Sequence, residues 1–227
     1  MTQAGPLRWR TGAGWLVLIG GGNWETTEPI DRNAIEAMTD EAPIAFVPAA
    51  GGSPDSGESF LEHYTRLGAP PGYVAPIYDA TSANDPVNAR RLVQAGLIYL
   101  GGGDTRQLLD ALTGTPALDA IAAAYASGAI VVGMSAGAMA LCAWGVALDP
   151  AVGVLQGWGW LPHVIAAPHY TPERSTALRE ALLQHPQLLG LGLPDDTALA
   201  LGPDGEVLTW GSGQITVTLG PKFDPEG

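Results

Sequence analysis

Gly133-Met134-Ser135-Ala136-Gly137 places a serine midway between two glycines, and this spacing suits covalent chemistry. Residues 129–132 (Ala-Ile-Val-Val) read as a short strand buried on both faces, and residues 136–142 are small or helix-favouring. Strand, tight turn and helix with a serine at the turn make a nucleophile elbow: the hydroxyl is lifted clear of the sheet. The helix that follows aims its free N–H groups at the same point. A small-residue turn that merely packs a helix onto a strand has the same composition, so the other residues must decide.

A serine hydroxyl attacks only when a base removes its proton, and the base needs an anionic partner to hold its tautomer. Of four histidines, His63 on a helix and His185 beside Pro186 are expected to be solvated, and His163 between Pro162 and Val164 to be structural. His169, in Ala-Ala-Pro-His-Tyr, follows a short strand and is the expected base. Asp149 is the one acidic residue between Ser135 and His169, giving the chain order Ser, Asp, His. Asp196, in Pro-Asp-Asp-Thr, competes with it, either as support for His169 or as a contact to substrate.

The oxyanion formed on attack needs preorganised donors. The amide of Ala136 is one candidate, and Gly102 and Gly103 in the Gly-Gly-Gly-Asp-Thr loop offer others. Arg106 in that loop and Arg174 near His169 suit bidentate capture of a substrate carboxylate, with solvated surface arginines as the plain alternative.

These residues must be positioned by a scaffold, and the hydrophobic pattern says which. Strand runs at 15–19, 44–47, 73–77, 97–100 and 129–132, the third placed nearer an edge by Pro76, alternate with helical patterns reaching about 39, 67, 96, 112, 126 and 185. Val87, Leu92 and Val93 are expected to face inward on one helix, and Leu178, Leu182 and Leu183 on another. This alternation predicts an α/β fold, a mostly parallel sheet with helices on both faces. Sites in such sheets lie beyond the carboxyl ends of the strands, where the loops at 20–24, 49–57, 101–105 and 133–137 converge. Residues 1–14 read as loose or an edge strand, 144–162 as irregular, and 197–201, 207–210 and 215–219 as an antiparallel finish.

A net charge of −13 argues against nucleic acid and anionic membrane surfaces as partners. Cys142 is the single cysteine, so an internal disulfide is ruled out, and the absence of a basic-apolar leader makes the cytoplasm the expected compartment. No metal-spaced His/Cys cluster and no phosphate-cradling glycine spacing occur, so no metal or cofactor is expected. Oligomeric state stays open, a homo-oligomer included.

Gly-Gly-Gly-Asp-Thr-Arg-Gln-Leu-Leu (101–109), Gly-Met-Ser-Ala-Gly-Ala (133–138), Leu-Pro-His-Val-Ile-Ala-Ala-Pro-His-Tyr (161–170) and Gly-Leu-Pro-Asp-Asp-Thr-Ala-Leu (192–199) occur in that order. Together they resemble the serine peptidase family of cyanophycinase and aspartyl dipeptidase (peptidase E), from about Trp15 to the end. The resemblance implies one domain over residues 1–227: a flavodoxin-like three-layer sandwich related to class I glutamine amidotransferases, with serine in place of their cysteine. It further implies hydrolysis of short peptides by a dipeptidase or related exopeptidase, aspartyl and β-aspartyl substrates among them. Ser135 then matches the nucleophile, His169 the base and Asp149 the dipeptidase branch's aspartate, with Gly102 or Gly103 and Ala136 at the oxyanion hole. Ala167-Pro168 ahead of the histidine is nearer the dipeptidase pattern than the Asp-Gln of cyanophycinases. Asp104 stands where that branch commonly has Asn and suits a substrate ammonium. Two other readings share the pentapeptide: an α/β-hydrolase esterase, which lacks its His-Gly-Gly loop here, and a non-catalytic ligand-binding domain of the same fold.

Overall fold

In the computed structural model, residues 1–39, 41–51 and 55–224 are described; residues 52–54 of the expected 49–57 loop lie outside them. In chain order the elements are β1 (Thr2–Ala4), β2 (Leu7–Trp9), β3 (Leu16–Ile19), α1 (Glu28–Glu36), β4 (Ile44–Val47), α2 (Ser56–Arg66) and β5 (Gly72–Val74). Next come α3 (Ala80–Ala83), α4 (Pro86–Val93), β6 (Leu97–Leu100), α5 (Thr105–Leu112), α6 (Pro116–Ala126), β7 (Ile130–Met134) and α7 (Ala136–Leu141). The chain continues through β8 (Cys142–Val146), β9 (Val154–Gln156), β10 (Leu161–Pro168) and α8 (Ser175–Gln184). It ends with β11 (Leu189–Leu193), β12 (Thr197–Leu201), β13 (Val207–Gly211) and β14 (Thr216–Leu219).

The central sheet has the order β13-β12-β3-β7-β6-β4-β5. The five strands from β3 to β5 are parallel, and β12 and β13 extend the sheet antiparallel. Because side chains alternate across a strand, each continuous apolar run supplies both faces. Leu16, Leu18, Ala45, Val47, Ile98, Leu100 and Val131 face one core together with residues of α4 to α7. Val17, Ile19, Ile44, Phe46, Leu97, Tyr99 and Val132 face the other, with α1, α2 and Trp210. This is the α/β sandwich with a mostly parallel centre and helices on both sides.

A second sheet, β14-β11-β10-β8-β9, packs through Leu161, Val164, Ala166, Leu189 and Leu191 into the first of those cores. Its other face is covered by Leu178, Ala181 and Leu182 of α8. Residues 144–162 are therefore not irregular throughout: they contain the end of β8, all of β9 and the start of β10. The antiparallel finish is shared, β12 and β13 joining the large sheet and β14 the small one. Residues 1–14 begin with the β1–β2 hairpin, and Trp9 is fully buried.

Three inward assignments change. Val87, Val93 and Leu183 are exposed (48%, 48% and 71%), whereas Leu92, Leu178 and Leu182 are buried as expected, beside Asn88 and Ala181. On these short helices the buried stripe is narrower than the apolar residues available to it. No helix among the described residues is long and apolar enough to cross a membrane.

Candidate active site

β7 delivers Ser135 at the carboxyl edge of the large sheet. Ser135 holds φ +51° and ψ −100° at the N-terminal cap of α7, a strained conformation costing about 1–3 kcal/mol. The flanking glycines permit the turn: a β-carbon on Gly133 would stand 2.6 Å from the Gly137 carbonyl carbon, and one on Gly137 would stand 2.6 Å from the Leu100 oxygen. The Ser135 amide donates to the Ile19 carbonyl (2.9 Å), tying the elbow to the end of β3.

β10, in the small sheet, ends at Pro168 and delivers His169 to the same edge. Its amide donates to the Gly20 carbonyl (3.1 Å), the bond that joins the two sheets here. The Ser135 Oγ lies 2.8 Å from His169 Nε2, and His169 Nδ1 lies 2.6 Å from Asp195 Oδ1. With Nδ1–H donating to the carboxylate, Nε2 is left unprotonated to accept from the serine hydroxyl.

The carboxylate behind His169 is thus Asp195, on the turn from β11 to β12, and neither of the two weighed in the sequence. Asp149 lies on the turn between β8 and β9, where its carboxylate accepts from the Ala151 amide (2.9 Å). Asp196 turns away: its carboxylate accepts from the Thr26 hydroxyl (2.5 Å) and its amide donates to Gly21 O (2.9 Å). The signal for Asp195 was topological: β11 pairs parallel with β10, so Asp195, two residues past the end of β11, comes beside His169, the residue past the end of β10. Chain order alone favoured Asp149.

Gly21, in the 20–24 loop, also belongs to the site. A β-carbon there would collide with the His169 ring and the Asp195 carboxylate.

Among the other expected site residues, Gly102 borders Ser135: a β-carbon on it would stand 3.6 Å from Ser135 Cβ. Gly101 and Asp104 spend their amides on the Val47 and Ala50 carbonyls, whereas Gly102 and Gly103 donate to no protein acceptor among the described residues. Ala136 opens α7 and has no intrahelical acceptor for its N–H.

Asp104 caps α5, accepting from the Arg106 (2.7 Å) and Gln107 (3.1 Å) amides, while remaining at the rim of the cleft. Arg174 is not a free anchor for a carboxylate. Its guanidinium donates to the carbonyls of Pro168 (2.8 Å), His169 (3.3 Å) and Ala147 (3.3 Å), clamping the histidine turn to the end of β8. Burial there lowers the guanidinium's pKa, with the nearby Asp195 charge opposing. Arg106 is exposed at the cleft with no side-chain partner among the described residues.

A cleft of about 540 Å³ opens over Ser135 between Asp104, Arg106, Met139, Leu148 and Asp149. A second of about 370 Å³ opens on the other side of Gly102, against Trp24 and Met134.

His63, expected in solvent, is 4% exposed. The buried Asp31 carboxylate accepts from His63 Nε2 (2.8 Å), the Tyr64 hydroxyl (2.8 Å) and the Thr27 hydroxyl (3.0 Å), and Arg66 donates to His63 Nδ1 (2.9 Å). Burial, then the Asp31 charge, raises the Tyr64 and Tyr99 hydroxyls well above their ordinary range. His185 packs on Trp144 with ring centroids 4.2 Å apart, and His163 is exposed.

Residues 16–207 match the family model of peptidase family S51. The chain is similar to the cyanophycinases of Geminocystis herdmanii (27% identity, 79% of this chain and 70% of that one) and Synechococcus elongatus (28%, 78% and 58%). It is likewise similar to that of Trichormus variabilis (26% identity, 80% of this chain and 64% of that one), so it spans less than two thirds of the last two relatives. Among solved structures, a peptidase from an acI-B1 Actinobacterium superposes with a TM-score of 0.76 at 23% identity, covering 95% of this chain and 93% of that one. A candidate peptidase E from Listeria monocytogenes EGD-e superposes with a TM-score of 0.60 at 20% identity, covering 88% and 99%. At these identities the two structures bear on the fold.

Proposed function

The chain belongs to peptidase family S51, a family of serine peptidases, and from that premise we propose that it hydrolyses short peptides through an acyl-enzyme at Ser135. The observation that carries this reading is the unbroken relay from Ser135 Oγ through both ring nitrogens of His169 to Asp195. Ser135 Oγ attacks the scissile carbonyl carbon as His169 Nε2 takes its proton. Asp195 holds the ring and stabilises the imidazolium that forms. The amides of Ala136 and of Gly102 or Gly103 receive the developing oxyanion.

Collapse of the tetrahedral intermediate breaks the C–N bond, and His169 gives its proton to the leaving amine. Water then attacks the ester, again losing its proton to His169, and releases the acid and free Ser135. The 540 Å³ cleft suits the ends of a short peptide: Asp104 and Asp149 bring negative charge for an ammonium and Arg106 a cation for a carboxylate. The resemblance of the sequence motifs to those of cyanophycinase and aspartyl dipeptidase makes aspartyl and β-aspartyl peptides the first substrates to try.

A fluorophosphonate probe should label Ser135, and Ser135→Ala should abolish both labelling and turnover of a dipeptide, β-aspartyl and longer-peptide panel. Hydrolysis that survives Ser135→Ala would overturn the reading.

A further inference from the structure

The second cleft differs in chemistry from the first. It is lined by Trp24, Phe46 and Met134, with Thr27, Ser56 and the backbone of Gly102, and no charged side chain lines it among the described residues. It adjoins the reacting centre, because Met134 immediately precedes Ser135 and Gly102 stands between the pocket and the Ser135 side chain. Its volume of about 370 Å³ falls in the lower part of the range of sites that enclose small organic groups.

The walls are held from behind. Trp24 stacks on the buried His63 ring (centroids 5.3 Å apart) and lies tilted or edge-on to Tyr99 (5.7 Å) and Phe60 (6.0 Å). The Tyr99 hydroxyl donates to Met134 Sδ (3.3 Å), fixing a side chain that would otherwise be free to turn. The turn carrying Trp24 is closed by the Asn23 side chain, which accepts from the Glu25 (3.0 Å) and Thr26 (3.1 Å) amides. The Asp31 network fixes Thr27 on the same turn. A pocket built this way is shaped before anything enters it, which lowers the cost of binding.

Resting on the serine peptidase reading, we propose that this pocket receives a large uncharged side chain, aromatic or branched aliphatic, of the substrate residue next to the scissile bond. An apolar side chain there exchanges water for aromatic and thioether contacts. A carboxylate or guanidinium would lose hydration and meet no counter-charge. The substrate class is therefore a short peptide with its terminal charges in the cleft of Asp104, Arg106 and Asp149 and an apolar residue against Trp24.

The test is a peptide matrix in which each residue flanking the scissile bond is Ala, Leu, Phe, Asp or Arg in turn, assayed with the full chain after fluorophosphonate titration of Ser135. At one of the two positions, kcat/KM for Phe or Leu should exceed Ala by about 10- to 200-fold, with Asp and Arg below Ala. Trp24→Ala should shrink the Phe-to-Ala ratio by about tenfold or more. Ser56→Lys, a change at the partly exposed rim that leaves the aromatic packing alone, should raise kcat/KM for Asp relative to Phe. If Ser135 is labelled and peptides are cleaved but Asp or Arg is preferred at both positions, or Ala equals Phe, the pocket assignment falls and the peptidase reading stands. Unmoved ratios in folded variants have the same consequence. Absence of hydrolysis across the whole panel removes the peptidase reading and this one with it.

Discussion

Gly21 faces His169 so closely that the place of its missing β-carbon is already filled by the imidazole and the Asp195 carboxylate. The main chain just past β3 thus serves as the wall against which the ring is set. Gly21→Ala should push the ring from its 2.8 Å contact with Ser135 and lower kcat/KM by about 100-fold or more, since displacements of about 1 Å have that effect. The melting temperature should stay near that of the parent, because Gly21 lies in the loop and its φ is unremarkable. Steady-state kinetics beside a thermal melt decides the matter.

Asp195 and Asp149 should separate by kinetic signature. Asp195→Asn alters the partner of Nδ1 and should lower kcat by about 10²–10⁴-fold. Asp149→Asn, remote from the ring but on the cleft, should act chiefly on KM. Equal falls in kcat for the two variants would contradict the hydrogen bond at 2.6 Å as the functional one.

The Asp31 carboxylate gathers three buried donors, so removing it strands His63 and Tyr64 together, while the Thr27 hydroxyl keeps the Asn23 carbonyl as acceptor. Asp31→Ala should cost about 3–5 kcal/mol, on the order of 10 °C in melting temperature for a chain of this size. A denaturant titration of the variant checks this, and a loss below about 1 kcal/mol would count against the network's weight.

Alkaline pH should unfold the chain through Tyr64 and Tyr99. Burial raises both hydroxyls well above the ordinary tyrosine value in the folded state, so folding favours the protonated form. Their contribution is complete below pH 10 and is lost as pH rises beyond it. Chemical denaturation at pH 8, 10 and 11 should show stability falling across the last interval, and Tyr99→Phe should reduce that fall.

Much of this site was legible in the sequence, for physical reasons. Ser135 and His169 each follow a buried run at a strand's end, and periodicity locates such ends without knowledge of the partners. Asp195 could not be singled out that way, because its place beside His169 depends on β11 pairing with β10, a contact between strands about twenty residues apart. His63 misled through local context: a polar residue on an amphipathic helix reads as solvated, and only the docking of α1 beside α2 supplies the buried Asp31 that accepts from it. Arg174 was similar, its three carbonyl acceptors coming from two segments that meet only after folding.

The relay is divided between layers: Ser135 follows a strand of the large sheet, His169 follows one of the small sheet, and Asp195 sits on the chain crossing between them. Neither layer contains a working set by itself. Any slippage between them acts directly on the proton-transfer distance, so turnover becomes a gauge of how the sheets are seated. During gradual denaturation, hydrolysis should disappear at the first loosening of that seam, while most of the secondary structure still gives its spectroscopic signal.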